Sequence, residues 1–262
     1  MSWIDVNGVS IYYQLEGPDD GLLVALVHEI GGTAQSFDRV IPHLTERFRV
    51  LSFDQRGAGQ SEKVVGPISI DDLVGDISGL IDAVGGSARC SFVTVAAAGL
   101  QALKFYQGFP DRVGSMVLCN PALGVDPERT QALLDRAQFV ESNGIRAGLE
   151  AMIEKSYPVE LRDDIVFPAY RGRYLANDPH GFAESNRVLA NTDLRDLIPK
   201  IKCPTMVVAG RYDQVRPAKG SEEVASQIES SRFEVLDGGH FLPTTAPDQL
   251  GKLLVEFLTE NS

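Results

Sequence analysis

The segment from Ser91 to Leu100 has the layout of a turn that presents a nucleophile. β-Branched and aromatic residues run to Val95, four small residues follow, and a helical pattern continues to Pro110. In a G-x-S-x-G elbow, a strained strand-to-helix turn of this kind lifts one side chain above the sheet. The small residues here are Ala-Ala-Ala-Gly, so the turn offers no hydroxyl or thiol for covalent catalysis.

A histidine and an aspartate near the C-terminus could supply acid–base chemistry instead. His240 stands in Asp-Gly-Gly-His-Phe after a late predicted strand, and an imidazole changes charge near neutral pH. Asp213 follows another predicted strand and could orient that imidazole. Asp126 is the alternative acid. The competing interpretations are a loop histidine that caps a turn and an ordinary turn aspartate.

Three further charged residues could contact a substrate. Glu29 would place a carboxylate at the rim of a pocket, where it could act as an acid or a base. Arg171 and Arg173 could hold a substrate carboxylate through bidentate hydrogen bonds. Each residue also has a simpler interpretation as a solvated side chain or a partner in a surface ion pair.

The sequence predicts an α/β sheet that would position these residues. The Asn7-Gly8 turn predicts an N-terminal hairpin of residues 2–6 and 9–15. From residue 22 to Cys119, apolar strands alternate with helical patterns, one of them at residues 37–44. This alternation predicts a mostly parallel, doubly wound sheet with helices on both faces.

The pattern changes after Cys119. Residues 121–197 contain amphipathic helical stretches and no strand-like run, and strands resume at Thr205. Open α/β sheets bind ligands at the carboxyl ends of their strands, so an insertion at this point is placed to cover the site. The sequence therefore predicts a core of residues 1–120 and 198–262 with a helical cap of residues 121–197.

Composition excludes several classes of function. The chain has 262 residues and a net charge of −12, which disfavours nucleic acid and anionic membranes as partners. The sequence contains no phosphate-binding loop, dinucleotide fingerprint or zinc-ligand spacing, so we expect neither a cofactor nor a metal. Three cysteines without metal-type spacing predict buried thiols. With no signal-like or membrane-spanning stretch, we expect a cytoplasmic protein with a small-molecule substrate.

Four motifs around the turn carry a resemblance to a known family. They are Val27-His28-Glu29-Ile30-Gly31-Gly32, Asp54-Gln55-Arg56-Gly57-Ala58-Gly59-Gln60-Ser61-Glu62, Ala209-Gly210-Arg211-Tyr212-Asp213 and Gly238-Gly239-His240-Phe241. In this order the chain resembles the α/β-hydrolase superfamily over nearly its whole length. Within it, the chain looks most like the 3-oxoadipate enol-lactonase group.

This resemblance implies roles for residues around the turn. It places the missing nucleophile at Ala96, while counting from Gly99 would place it at Ala97. It implies an oxyanion hole formed by the amides of Ile30 and Ala97, next to His28 at the substrate pocket. It also implies a catalytic triad order in which Asp213 and His240 follow the turn.

The chain also departs from the family pattern at three other positions. Thr94 and Ala98 stand where glycines flank the serine, and Glu29 stands where the family usually has glycine.

Three interpretations of the missing serine remain open. The alanine is native and the His240–Asp213 pair works without a nucleophile, or the chain is an inactivated serine hydrolase, or it is a non-enzymatic binder. Retention of the pair counts against a binder, and the three other departures favour a native alanine. The substrate class implied by the resemblance is a small, carboxylated lactone, ester, amide or diketone. A homo-oligomer is compatible with the sequence.

Overall fold

One eight-stranded sheet forms the core of the protein. In a computed structural model, which describes residues 2–85 and 89–262, its strands are β1 (Ser2–Val6), β2 (Val9–Glu16), β3 (Leu22–Val27), β4 (Phe48–Phe53), β5 (Cys90–Val95), β6 (Val113–Cys119), β7 (Thr205–Gly210) and β8 (Arg232–Leu236). Their spatial order is β1-β2-β4-β3-β5-β6-β7-β8. β1 and β2 are antiparallel to each other, β2 is antiparallel to β4, and the remaining neighbours are parallel.

Helices pack on both faces of this sheet. The helices of the described residues are α1 (Ile41–Leu44), α2 (Ile70–Ala83), α3 (Gly99–Gly108), α4 (Pro127–Asn143), α5 (Ile145–Ser156), α6 (Val166–Leu175), α7 (Pro179–Asn191), α8 (Ala218–Ala225), α9 (Leu242–Thr245) and α10 (Pro247–Glu260), of which α4 to α7 form a separate cluster. One apolar cluster joins the sheet to α2, α3 and α8, and a second joins it to α1, α9 and α10. The strands at the centre are continuous apolar runs because both of their faces are covered. The predicted doubly wound sheet is confirmed.

The segment between β6 and β7 contains the helices α4 to α7. Within residues 121–197, all of which are described, there is no strand. A separate apolar cluster of these helices, rich in tyrosine, includes Tyr157, Tyr170 and Tyr174 and reaches Phe241 of the core. We keep the division into a core and a cap as a proposal, and use the word cap for residues 121–197.

Of two local predictions near the N-terminus, the hairpin is confirmed and the helix is wrong in its extent. The N-terminal hairpin is confirmed, with a left-handed backbone at Asn7 and Gly8. The helical stretch predicted for residues 37–44 is wrong in its extent, because the chain forms a 3₁₀ turn at Ala34–Phe37 and only one α-helical turn at α1. Pro42 is the second residue of α1, where its missing N–H is tolerated. A helix can therefore begin at this proline but cannot run through it from the preceding turn.

The cysteines are thiols. Cys90 and Cys119 are buried in β5 and β6, and burial raises the pKa of each thiol to about 12. Cys203 is half-buried. No helix in the described part of the chain is both long and apolar enough to cross a bilayer.

A charged cluster joins the cap to the core. His180 of α7 contacts Glu141 of α4 through Nδ1 and the carbonyl of Gly66 through Nε2, each at 2.8 Å. Arg187 contacts both Glu141 and Glu184. The histidine and the two glutamates have the spacing of metal ligands. Arg187 already supplies positive charge between the glutamates, so we assign the cluster to joining the cap and the core.

This cluster predicts a pH dependence of stability. Arg187 and His180 lower the pKa of Glu141 to about 2, and Glu141 raises the pKa of His180. A lowered carboxyl pKa stabilises the fold above about pH 4.5 and loses that effect as pH falls. A raised imidazole pKa stabilises it below about pH 6.5 and loses that effect as pH rises. The stabilising contributions of Glu141 and His180 are therefore both present between about pH 4.5 and pH 6.5.

We expect Glu141→Gln to lower the unfolding temperature by about 2 °C in this window, since a partly exposed pair contributes about 1 kcal/mol. Thermal unfolding from pH 3 to pH 9 measures the effect. Glu150→Gln is the matched control, because Glu150 pairs with Arg171 at the surface. Identical pH profiles for wild type and Glu141→Gln would show that the cluster does not stabilise the fold in this way.

Candidate active site

The turn after β5 has the strained backbone of a nucleophile elbow. Ala96 has a φ of 53°, in the left-handed region that alanine rarely adopts. A 3₁₀ turn at Ala96–Ala98 then leads into α3. Strain of this kind is what the elbow uses to expose its tip. The backbone therefore favours Ala96, and not Ala97, as the tip of the turn.

His240 and Asp213 are in direct contact. Nδ1 of His240 lies 2.6 Å from Oδ2 of Asp213, and both side chains are buried. The other carboxylate oxygen of Asp213 accepts hydrogen bonds from the amides of Val215 at 2.7 Å and Arg216 at 2.8 Å. These three bonds fix the carboxylate in the orientation that holds the imidazole. Asp126, the alternative acid, instead pairs with Arg195.

One cavity of about 460 Å³ brings the predicted groups together. Ala96, Ala97, Ile30, Glu29 and His240 all line it. Among residues 2–85 and 89–262, the amides of Ile30 and Ala97 donate to no protein acceptor, and Nε2 of His240 has no protein partner. Free amides beside a free imidazole nitrogen are the groups that an oxyanion and a transferable proton require.

Glu29 is buried in the wall of this cavity and not solvated at its rim, with only 1% of the residue exposed. Ser36 and Tyr170 donate hydrogen bonds to its Oε1 at 3.0 and 3.2 Å. Its Oε2 has no partner within the described residues. The carboxylate folds back against Gly32, where a Cβ would lie 2.5 Å from the Glu29 Cδ. Burial and the neighbouring carboxylate raise the pKa of Tyr170, so its hydroxyl stays a donor.

His28 supports the loop that precedes the oxyanion amides. Its Nδ1 lies 2.8 Å from the carbonyl oxygen of Glu29, and its Nε2 accepts from the amide of Gln55 at 3.0 Å. The ring lines two small cavities of about 20 and 10 Å³ and is not part of the lining of the large one. The prediction that His28 contacts substrate is therefore not supported, because both ring nitrogens already hold the backbone.

Comparison with known proteins identifies the family. The model of the alpha/beta hydrolase fold family matches residues 23–247. The chain belongs to this family. The 3-oxoadipate enol-lactonase 1 of Acinetobacter baylyi is 25% identical over 258 residues, which cover 96% of this chain and 94% of that protein. A Caulobacter segnis protein, named provisionally as carbamate hydrolase RutD, is 29% identical over 95% of this chain and 96% of its own length.

Solved structures agree with this assignment. The enol-lactonase of Burkholderia xenovorans LB400 has a TM-score of 0.91 and 28% identity, covering 98% of this chain and 100% of that one. A thermophilic esterase of Thermogutta terrifontis, solved with malate bound, has a TM-score of 0.95 and 25% identity over the full length of both chains. The α/β-hydrolase fold and the likeness to enol-lactonases expected from the four motifs are confirmed.

The cations that line the cavity of this α/β-hydrolase differ from those predicted. Arg171 pairs with Glu150 at 3.1 Å, and Arg173 lines a separate cavity of about 170 Å³. Neither lines the large cavity, to which α6 contributes Tyr174, while Tyr170 of the same helix packs in the tyrosine-rich cluster. The cations that do line it are Arg129, Arg136, Lys155 and Arg216.

These four cations share one property. None of them forms a salt bridge within the described residues, although acidic residues outnumber basic ones by 36 to 24. Partial desolvation by the surrounding protein lowers the pKa of Arg136 and of Arg216, and the neighbouring charge of Arg129 lowers both further. A cavity that crowds unpaired cations is electrostatically suited to an anionic ligand. The helical spacing of Arg129 and Arg136, seven residues apart on α4, was the available sequence signal.

Proposed function

We propose that this protein hydrolyses a small, carboxylate-bearing lactone, ester or amide by direct attack of water, without a covalent intermediate. The observation that carries the proposal is the 2.6 Å contact between His240 and Asp213 in the wall of the cavity that Ala96 also lines. A serine at the tip would place its hydroxyl there. Alanine leaves that volume for a water molecule.

The proposed reaction needs one proton carrier. Nε2 of His240 removes a proton from the water while its oxygen forms a bond to the substrate carbonyl carbon. The amides of Ile30 and Ala97 donate to the resulting oxyanion, an interaction that contributes a few kcal/mol in such sites. The tetrahedral intermediate collapses and breaks the bond to the leaving oxygen or nitrogen. The imidazolium, stabilised by Asp213, returns its proton to that leaving group.

Glu29 gives the water a second partner in this proposal. Glu29 lines the cavity together with Ala96 and His240, and its Oε2 is a buried acceptor that no donor among the described residues reaches. A buried acceptor left unpaired costs about 1–3 kcal/mol, and a bound water that donates to it removes this cost. Two acceptors, Glu29 and His240, would then orient the two hydrogens of one water molecule.

The substrate class follows from the charges of the lining. A carboxylate on the substrate would meet Arg129, Arg136 and Arg216, which form no salt bridge with any described residue, and a guanidinium can bind it in a bidentate way. The similarity to an enol-lactonase supports the same class.

The proposal takes Ala96 as the native residue. Thr94 is buried at the end of β5, 3.4 Å from the carbonyl of Val117, and Ala98 is buried at the start of α3. With Glu29, which lines the same cavity, the chain therefore departs from the family sequence pattern at three positions besides Ala96, although the turn keeps the backbone of an elbow. An inactivated serine hydrolase and a non-catalytic binder are the two outcomes that the following test would reveal.

Ala96→Ser separates these accounts. We expect the unaltered chain to turn over a member of a panel of carboxylated lactones and esters, and the serine variant to be slower by about tenfold or more, because its hydroxyl displaces the water. Steady-state kinetics measure both, with Ala122→Ser as the control for an added hydroxyl elsewhere in the cavity. A large gain in nitrophenyl ester hydrolysis by Ala96→Ser would instead indicate an inactivated serine enzyme. Binding without turnover in both proteins would indicate a binder.

A further inference from the structure

A buried asparagine connects the loops that carry the proposed active site. Asn120 directly follows β6, is fully buried, and has a left-handed φ of 46°. Its side-chain Nδ2 donates to the carbonyl of Gly239 at 3.1 Å and to the carbonyl of His240 at 2.9 Å. Its Oδ1 accepts from the amide of Gly210 at 2.8 Å. One side chain therefore bonds to the end of β7, where the aspartate loop begins, and to the loop after β8.

The same bonds reach both partners of the His240–Asp213 contact. The amide of Asp213 donates to the carbonyl of Gly210, and the amide of Gly210 in turn donates to Oδ1 of Asn120. The carbonyl of His240 is itself an acceptor of Asn120. Two residues after Asn120, the amide of Ala122 donates to the carbonyl of Ala96 at 3.0 Å. This short segment thus contacts the histidine loop, the aspartate loop and the alanine turn.

Asparagine is the residue type that meets all requirements of this position. A left-handed backbone favours glycine, asparagine and aspartate. Glycine has no side chain to bond the loops. Aspartate keeps the acceptor for Gly210 but has no N–H, so an ionised oxygen would face two carbonyl oxygens.

We propose that Asn120 is a positioning residue that sets the imidazole of His240 against the carboxylate of Asp213. The inference rests on the proposed function for its consequence in catalysis, but the contact that it predicts can be observed without a substrate. Without Asn120, the carbonyl of His240 and the amide of Gly210 lose the partner that they share among the described residues, and the imidazole is held less firmly against its acid.

The test is the NMR signal of the proton between His240 Nδ1 and Asp213. The chain has only four histidines, so ¹⁵N-histidine labelling gives few signals, and His240→Ala assigns the relevant one. We expect a downfield Nδ1 proton in the unaltered protein and its loss in Asn120→Asp and Asn120→Ala. Two variants are used so that a folding defect in one does not decide the result.

Ser115→Ala is the matched control. Ser115 is a buried polar residue of β6, the strand that precedes Asn120. Its hydroxyl donates to Ser91 at 2.9 Å, near the end of β6 that is remote from Asn120. We expect this variant to keep the downfield proton even if its unfolding temperature falls. Retention of the signal in either folded Asn120 variant would overturn the proposal. Loss of the signal in Ser115→Ala as well would also overturn it, since the proton would then report general destabilisation.

Kinetics provide the second measurement. With a turned-over substrate, we expect Asn120→Ala to lower kcat about 100-fold with little change in KM, because the imidazole is no longer held in its catalytic orientation. An unchanged kcat with a lost NMR proton would contradict the proposed function of the pair. A retained proton would contradict only the role of Asn120.

Discussion

His240→Ala is expected to lower kcat/KM for a turned-over lactone or ester by about 10³-fold. The imidazole is the one group in the described lining that is both free at a ring nitrogen and held by a buried carboxylate at 2.6 Å. Removing it takes away the proposed proton carrier, while the amides of Ile30 and Ala97 still stabilise the oxyanion. The residual rate would reflect those amides and substrate binding alone.

His43→Ala is the matched control for this variant. His43 contacts Asp248 at 3.2 Å at the surface and lies outside the lining of the cavity. Steady-state assays of both variants, with circular dichroism to confirm folding, measure the effect. If the folded His240 variant retains more than about a tenth of the wild-type rate, the imidazole is not the base.

Arg136→Ala is expected to raise KM for a carboxylated substrate by about 10- to 100-fold, since a hydrogen bond to a charged group contributes roughly 1.5–3 kcal/mol. The guanidinium lines the cavity and has no salt-bridge partner in the described part of the chain. The methyl ester of the same substrate is expected to show little change, because it lacks the charge that Arg136 binds.

Arg171→Ala controls for loss of a cap arginine. Arg171 pairs with Glu150 and lies outside the lining, so its removal is expected to leave KM for both substrates unchanged. The four KM values give the ratio of acid to ester for each variant. Equal changes for the acid and its methyl ester in Arg136→Ala would show that Arg136 does not recognise a carboxylate.

The His240–Asp213 pair could be predicted from sequence because short motifs determine it. Each residue follows a strand of a parallel sheet, and the carboxyl ends of such strands meet at one edge. The position of Ala96 could be predicted for the same reason, since a strand, four small residues and a helix leave few possible turns. Topology therefore brings the three together without any knowledge of the packing of the cap.

The burial of Glu29 could not be predicted in this way. It depends on a hydrogen bond from Tyr170, which lies 141 residues later in the chain on α6. That helix has no single apolar face, and its tyrosines are buried among other cap helices. Whether Glu29 is solvated or enclosed is thus decided by tertiary packing, which a local pattern does not contain.

The arginines illustrate the difference between residue type and helix orientation. The sequence predicted that arginines of the cap bind a substrate carboxylate. It did not show which face of α6 lies against the cavity. Arg129 and Arg136 point to the cavity because they share one face of α4 with the buried Leu133. Arg216 follows Asp213 by three residues, and only the turn that bonds its amide to Asp213 brings it to the same lining.

The most direct test of a reaction without a covalent intermediate is the intact mass of the unaltered protein, acid-quenched during turnover of a carboxylated lactone or ester from the panel. Our account predicts product formation while the protein mass stays that of the free chain. A protein carrying the mass of the acyl group, or a failure of the whole panel to turn over, would contradict it.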